Sequence, residues 1–267
     1  GLDISEGLVQ VGKRDTIRML TAQATIDGTL PVAVEQVAGI PYVPERVASE
    51  LRDLTVDGRV RGYFDLSIPI KGASKIPTIS TRVEVSEATV SVPTPPIKLE
   101  RVKGQFVYEY PRGIADGSLA ARFENQDILL DLNLDANDLG LSQKGFSIAT
   151  STRLGGADIN RLLGVTIPDG LLDGSSAFDI VFQAGEGVAL NIASDLDGLA
   201  VGLPPPFNKA REQSESLDID LRISDALSID ATYSNNLSLA IAQDTEDTWR
   251  ALASIGEVRP ELTLDDV

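Results

Sequence analysis

Along much of this chain apolar and polar residues alternate one by one. Leu217-Asp218-Ile219-Asp220-Leu221-Arg222-Ile223 does so without a break. Leu227-Ser228-Ile229-Asp230-Ala231 and Leu237-Ser238-Leu239-Ala240-Ile241 repeat the pattern. A period of two places alternate side chains on opposite faces of a strand. The turn-like pieces Ser224-Asp225 and Ser234-Asn235-Asn236 separate the three runs. Together they predict an antiparallel meander with one apolar and one polar face.

The same grammar upstream predicts strands over 17–26, 57–68, 78–92, 97–110, 117–124, 127–135, 145–153, 174–184 and 187–196. These segments are rich in Val, Ile and Thr, which suit a pleated surface. Ala115-Asp116-Gly117, Asn125-Gln126-Asp127 and Ala184-Gly185-Glu186-Gly187 predict short connections. Two places leave the rhythm. Between Pro44 and Leu54, Val47, Leu51 and Leu54 stand at helical spacing, with Pro44 suited to a first turn. Residues 157–164 predict a second short helix, capped by Asp158 and stopped near Gly164. Helices this short need docking against a sheet.

Gly198 to Arg211 contains Leu203-Pro204-Pro205-Pro206-Phe207. Adjacent prolines favour extended geometry and donate no ladder hydrogen bonds, so an edge crossover or a loop over a sheet opening is expected. Val92-Pro93-Thr94-Pro95-Pro96 is a second proline-rich break. Residues 1–243 read as a single elongated β domain, with any two subregions meeting near residue 112. Residues 244–267 read as a short helix carrying Trp249 or as a loose tail.

Composition narrows the chemistry. The 267 residues include no His and no Cys. That removes Ser-His-Asp triads, Cys nucleophiles, thiolate or imidazole metal sites and disulfides. With 42% hydrophobic residues the chain can bury a core, which argues against global disorder. The net charge is -17. Residues 1–112 hold 14 basic and 14 acidic side chains, so all the excess lies in 113–267, with 9 and 26. Such a chain is a poor nucleic-acid binder. General charge attraction to an anionic bilayer is equally unfavourable. No apolar run approaches the roughly 20 residues of a membrane-spanning helix. The start at Gly1, in strand-like sequence without an initiator Met, leads us to expect a piece of a longer protein.

The polar clusters carry little. Asp131, Asn133 and Asp135 resemble the start of a calcium loop, but Ala136 and Ser142 stand where that loop needs Gly and Glu. They read as a solvated strand face, as do Asp218 and Asp220. Phe106, Tyr108 and Tyr110 share one strand face and read as packing rather than a base-stacking platform. No catalytic residue, cofactor-binding residue or metal ligand is proposed, and no cofactor is implied.

What remains is the apolar face. Phe178, Ile180 and Phe182, then Val188, Leu190 and Ile192, form successive rows. Ile219, Leu221 and Ile223, Leu227 and Ile229, and Leu237, Leu239 and Ile241 continue them. A face this long must be covered by another sheet, by helices or by something apolar. Periodicity alone does not separate a dry core from a lipid groove.

The order of segments resembles a known family. Pro44 to Leu54, followed by Val56 to Ile70, is similar to a short helix and a strand reading "dG…G…l.l.iPl". Leu99 to Tyr108 with Gly113-Ile114-Ala115-Asp116-Gly117 resembles its next hairpin. Ile159 to Gly164, then Leu172 to Val181, resembles its second helix and strand, with Phe178 at a position where an aromatic, often Trp, is usual. Ser194 to Lys209 resembles the signature "sdL.Gla..lP.Pf.K". The chain thus resembles the AsmA-like envelope proteins of Gram-negative bacteria, of the YhdP type with its AsmA-like C-terminal region.

That resemblance implies an all-β, mainly antiparallel fold: a long, twisted, curled sheet forming an apolar groove, with two short helices. It implies a non-enzymatic segment of a periplasmic, inner-membrane-anchored protein that moves phospholipid between the two membranes and maintains the outer-membrane barrier. The implied partners are phospholipid acyl chains and adjoining segments of the full-length protein, with membrane contact made by other parts of that protein. The fourteen apolar residues above become the candidate lipid groove. The acidic second half is expected to disfavour anionic headgroups. Two alternatives remain open: a structural or protein-interaction module of the envelope, and a carbohydrate-active enzyme using paired carboxylates.

Overall fold

A computed structural model describes residues 2–14, 17–39, 45–71, 78–93, 97–110, 113–133, 146–163, 167–184, 187–223, 226–234, 236–243 and 248–256. The chain forms two compact units, residues 1–134 and 135–267. The first holds β1 (Asp3–Arg14), β2 (Ile17–Thr29), α1 (Leu30–Ala38), α2 (Glu45–Asp53), β3 (Thr55–Lys71), β4 (Thr78–Val92), β5 (Ile97–Tyr110), β6 (Gly113–Phe123) and β7 (Gln126–Asn133). Its strands pair antiparallel in chain order, β1 to β7. The second holds β8 (Phe146–Gly155), α3 (Gly156–Leu163), β9 (Leu172–Ala184), β10 (Val188–Ser194), β11 (Leu199–Val201), β12 (Leu217–Ile223), β13 (Leu227–Tyr233), β14 (Leu237–Gln243) and β15 (Trp249–Ile255). Its order is β8-β9-β10-β12-β13-β14-β15, all antiparallel, with β11 added to β9. The strand order is open, not closed into a barrel: among the described residues β1 pairs with β2 alone and β15 with β14 alone.

Every strand anticipated from alternation forms, within a few residues of its expected bounds. Both anticipated helices form too. A third, α1, lies where no element was expected. Thr29 stands in extended geometry before it and Pro31 falls in its first turn. Arg52 of α2 donates to the Ala38 carbonyl at the end of α1, at 3.1 Å. α1 also packs on β2 and β3, which supplies the docking that a nine-residue helix needs.

Three further expectations are corrected. Ala115-Asp116-Gly117 is no turn: Asp116 and Gly117 lie inside β6, opposite Val107 and Phe106 of β5. A Cβ on Gly117 would collide with the Phe106 side chain, so the glycine serves close packing rather than a turn. Second, the stretch around Trp249 is neither helix nor loose tail but β15, paired with β14. Third, the division falls between Leu134 and Asp135, while the strands either side of residue 112 pair within one unit. Pro44, Thr94 to Pro96, Asp135, Gly164, Gly185-Glu186 and 257–267 lie outside the described residues.

Side chains in αL geometry mark irregularities in the ladders. Glu6, Glu87 and Arg101 have φ of 56°, 51° and 53°, each at a register shift. At Glu87 the pairing passes from Asp57–Thr89 to Arg59–Ser86, so two β4 residues face Gly58 alone. Glu124 and Asn125, at φ of 47° and 63°, form the tight β6–β7 turn.

Candidate functional site

Pairing register decides which side chains share a face. In an antiparallel ladder, residues directly opposite one another point to the same side. Phe182, Leu190, Leu221, Ile229 and Ile241 are mutually opposite across five consecutive strands. Ile148 extends the row on β8 and Ala251 on β15. The next row reads Thr150, Ile180, Ile192, Ile219, Ala231, Leu239 and Ala253. On the other side Val188, Ile223 and Leu227 lie in line, ending in Gln243 and Trp249. Phe178, opposite Thr152, and Leu237, opposite Tyr233, fall on the same face. All fourteen residues picked out by alternation therefore stand on one face of the second unit.

That face is neither a dry core nor a fully exposed surface. Phe178 is buried, at 4% exposure, while Ile223 and Leu239 are 39% and 36% exposed. The other eleven are half-buried. A face sealed under a second layer would lose nearly all contact with water. This face keeps part of its water contact, which is a high-energy state for so much hydrocarbon.

One end of the face is closed. There Thr152, Phe178 and Tyr233 are buried. α3 packs on β8 and β9 at this end. Asp158 does not precede the helix as a simple cap; it sits within the first turn and accepts the Gly155 N–H at 2.9 Å. Residues 194–198, five in number, face 175–178 on β9, which are four, before β11 resumes pairing. That one-residue excess is a bulge, with Leu196 at φ 53°.

The proline segment then doubles back. Lys209 pairs with Val201, and Pro205-Pro206 is a cis peptide. The Lys209 side chain is buried, and its Nζ donates to the carbonyls of Leu196 (2.7 Å), Leu199 (2.7 Å) and Ala210 (3.1 Å). An ammonium has three N–H donors, and all are used here. Lys209 is thus a clamp within the loop rather than an anion site. The Tyr233 hydroxyl donates to the Phe207 carbonyl at 3.0 Å and ties the loop to the sheet. Burial, and next the nearby Glu215 charge, raises the Tyr233 hydroxyl above its ordinary pKa.

The opposite face of the second unit mixes charged and small side chains, and Gln183, Ala189, Ser238, Ala240 and Ala242 are buried on it. Asp218 and Asp220 share it, as alternation predicted, and Asn191 donates to Asp220 at 3.0 Å. Asp220 lies directly opposite Asp230. Partial burial raises the Asp230 carboxyl above the ordinary range; Asp220 adds to the rise and Arg222 opposes it. On the first unit Asp131 and Asn133 are exposed while Leu132 between them is buried, as a strand face requires. Among the described residues no group of three or more His, Cys, Asp or Glu is placed to hold a metal.

Sequence reasoning selected only the second unit's face, yet the first has one as well. Ile26, Gly62, Val83, Phe106, Gly117 and Leu132 form a row from β2 to β7. Its signal was present in the same alternation, but the glycines and tyrosines among these strands blurred it. The first unit's hollow between Asp27, Arg61, Glu84 and Gln105 is lined largely by polar side chains, with Arg61 paired to Asp27 at 2.6 Å.

A family model described as "YhdP protein" matches residues 18–259. No curated protein and no solved structure matches the chain. The match spans nearly the whole chain, and the chain belongs to the YhdP family of AsmA-like proteins. The family is envelope-associated and linked to lipid transport across the envelope, and proteins of this type are non-catalytic scaffolds. No helix among the described residues is long and apolar enough to cross a membrane.

Proposed function

We propose, from membership in the YhdP family and from the second unit's half-exposed apolar face, that this chain holds phospholipid acyl chains. It serves as a periplasmic segment of a conduit between the inner and outer membranes and so helps maintain the outer-membrane barrier. The observation that carries the reading is the alignment of fourteen apolar side chains on one open face, only one of them buried. An acyl chain laid there gains about 0.8 kcal/mol per CH₂ removed from water. A row across seven strands is roughly 29 Å long at ~4.8 Å per strand. One leaflet of a bilayer core is about 15 Å thick, so an acyl chain fits within that length. Headgroups remain in water at the rim, and the acidic second half favours zwitterionic over anionic ones.

Native mass spectrometry of the gently purified chain, with lipid extraction, tests this. Phospholipid at a reproducible stoichiometry is the expected result. A folded, lipid-free chain that also takes up no added phospholipid sinks the reading. It would favour a protein-interaction module of the envelope instead. That second reading has its own support in the edges: Ile4, Val9 and Val11 of β1 are 71%, 68% and 65% exposed, and Ile255 of β15 is 75% exposed. Open edges of this kind accept a further strand, here from adjoining segments of the full-length protein.

A further inference from the structure

We infer that a phospholipid lies along the strands of the apolar face, its glycerol and headgroup at Trp249 and its acyl tails toward Phe178 and Tyr233, and that Trp249 anchors it in this orientation. The inference rests on the acyl-chain reading and specifies which way the bound lipid points. The two ends of the face differ. At one, Thr152, Phe178 and Tyr233 are buried, and the Tyr233 hydroxyl is tied to the Phe207 carbonyl. At the other, Val188, Ile223, Leu227, Gln243 and Trp249 lie in line, and Trp249 is 55% exposed. The edge strand β15 has the same contrast in its chemistry. Trp249 stands at its start. Ile255 stands at its end, opposite Leu237 and so at the level of Tyr233.

Trp249 and Ile255 are the first and last residues of β15, roughly 20 Å apart at ~3.3 Å per residue. An acyl chain of about 15 Å therefore fits along the strands as well as across them. The unequal ends select the direction along the strands. An ionic phosphate keeps its water and does not enter an end where the side chains are already dry. A hydrocarbon tail stops against that end at no such cost. The indole of Trp249 is apolar over its rings and carries one N–H donor, the chemistry that gathers where hydrocarbon meets headgroups. Gln243, its direct partner on β14, makes the same level polar. Ile255 offers hydrocarbon alone. The Trp249 N–H donates to an ester or phosphate oxygen of the lipid, while its rings cover the first methylenes of the chain.

The chain holds a single Trp, so indole fluorescence reports on Trp249 alone. The whole chain is loaded with phosphatidylcholine that carries a bromine quencher either close to the ester carbonyl or close to the terminal methyl. Uptake of each lipid is read by native mass spectrometry. At equal uptake, the label near the carbonyl is expected to quench several-fold more strongly. Trp249→Phe combined with Ile255→Trp moves the only indole to the other end of β15, and the order of quenching should then reverse. Trp249→Phe alone keeps a ring, removes the N–H, and should lower retention about fivefold. Equal quenching by the two labels in the wild type, or stronger quenching by the terminal one, overturns the orientation and leaves the acyl-chain reading standing. The wild-type order in the double variant overturns it as well. Unchanged retention in Trp249→Phe overturns Trp249 as the anchor. Uptake of neither lipid overturns both the orientation and the acyl-chain reading.

Discussion

Leu221 of β12 lies directly opposite Ile229 of β13, and both are half-buried at the centre of the apolar face. Their neighbours in line are Leu190 and Ile241, so a charge at either place interrupts a hydrocarbon row. Leu221→Asp or Ile229→Asp is expected to leave a folded chain, since each position keeps water contact and can solvate the carboxylate. Retained phospholipid should fall several-fold, because each displaced CH₂ forfeits about 0.8 kcal/mol. Asp220→Asn, on the opposite face, should leave retention unchanged. Circular dichroism and native mass spectrometry on the three variants check this. Equal lipid in all of them would place the binding face elsewhere.

Lys209 is the only basic residue among the buried side chains described, and it satisfies three carbonyls of its own loop. Lys209→Met keeps the length of the side chain and removes all three donors. A charged donor is worth roughly 1.5–3 kcal/mol per hydrogen bond, and stranded carbonyls add their own cost. We expect a loss of about 3 kcal/mol in urea denaturation. Hydrogen exchange should show the loss centred on 196–210. A variant as stable as the wild type would mean that water replaces the ammonium without penalty.

The faces were legible in the sequence because alternation and register agree. Ile219, Leu221 and Ile223 meet Ala231, Ile229 and Leu227 without a shift, so a local pattern becomes a surface. What was not legible depends on distant partners. Residues 30–38 carry three valines, a strand-like composition, and become α1 because β2, β3 and α2 supply its docking surface. Trp249 to Ile255 mixes Ala251 and Ala253 with larger residues and reads either way until β14 provides a ladder. Lys209 gave no sign of its burial, since three backbone carbonyls leave no pattern in side-chain identity. The unpartnered hydroxyls of Thr150 and Thr152 look like ordinary strand threonines until hydrogen bonds are sought and not found.

Asp230 makes stability depend on pH in an unusual direction for a carboxylate. Its folded pKa is raised, so its protonated form is favoured by folding. Its contribution to stability is therefore fully present below the unfolded value of about 3.9 and is lost as pH rises through the higher folded value. Asp230→Asn relieves the burial of a charge, and with it removes both the attraction of Arg222 and the weaker repulsion of Asp220, so it should modestly stabilise the chain at pH 7. The gain should vanish in acid, where Asp230 is protonated. Urea midpoints of both proteins measured from pH 3 to pH 7 would show curves that converge at the acid end. Parallel curves would remove ionisation as the cause.

Gly58 shows how a single glycine maintains the ladder between β3 and β4. Its φ is 120°, a region that L side chains rarely adopt, and its N–H bonds to the Asp57 carboxylate at 2.8 Å. A Cβ here would stand 2.5 Å from the Ala88 Cα and 2.7 Å from its Cβ. Ala88 has no exposure, so it cannot move outward to make room. Gly58→Ala thus combines backbone strain of roughly 1–3 kcal/mol with overpacking of similar size. The relief available is to lose the bulge, which would shift β3 by one residue against β4. A one-residue shift turns every later side chain to the other face, so Val60 and Leu66 would leave the apolar side. We therefore expect Gly58→Ala to unfold the first unit rather than adjust it, at a cost of 3 kcal/mol or more by order of magnitude. Gly170→Ala, also at positive φ but with nothing near its would-be Cβ, should suffer the strain alone and lose about 1 kcal/mol. Denaturation of both variants separates the two contributions, and equal losses would mean that the Ala88 contact yields without resistance.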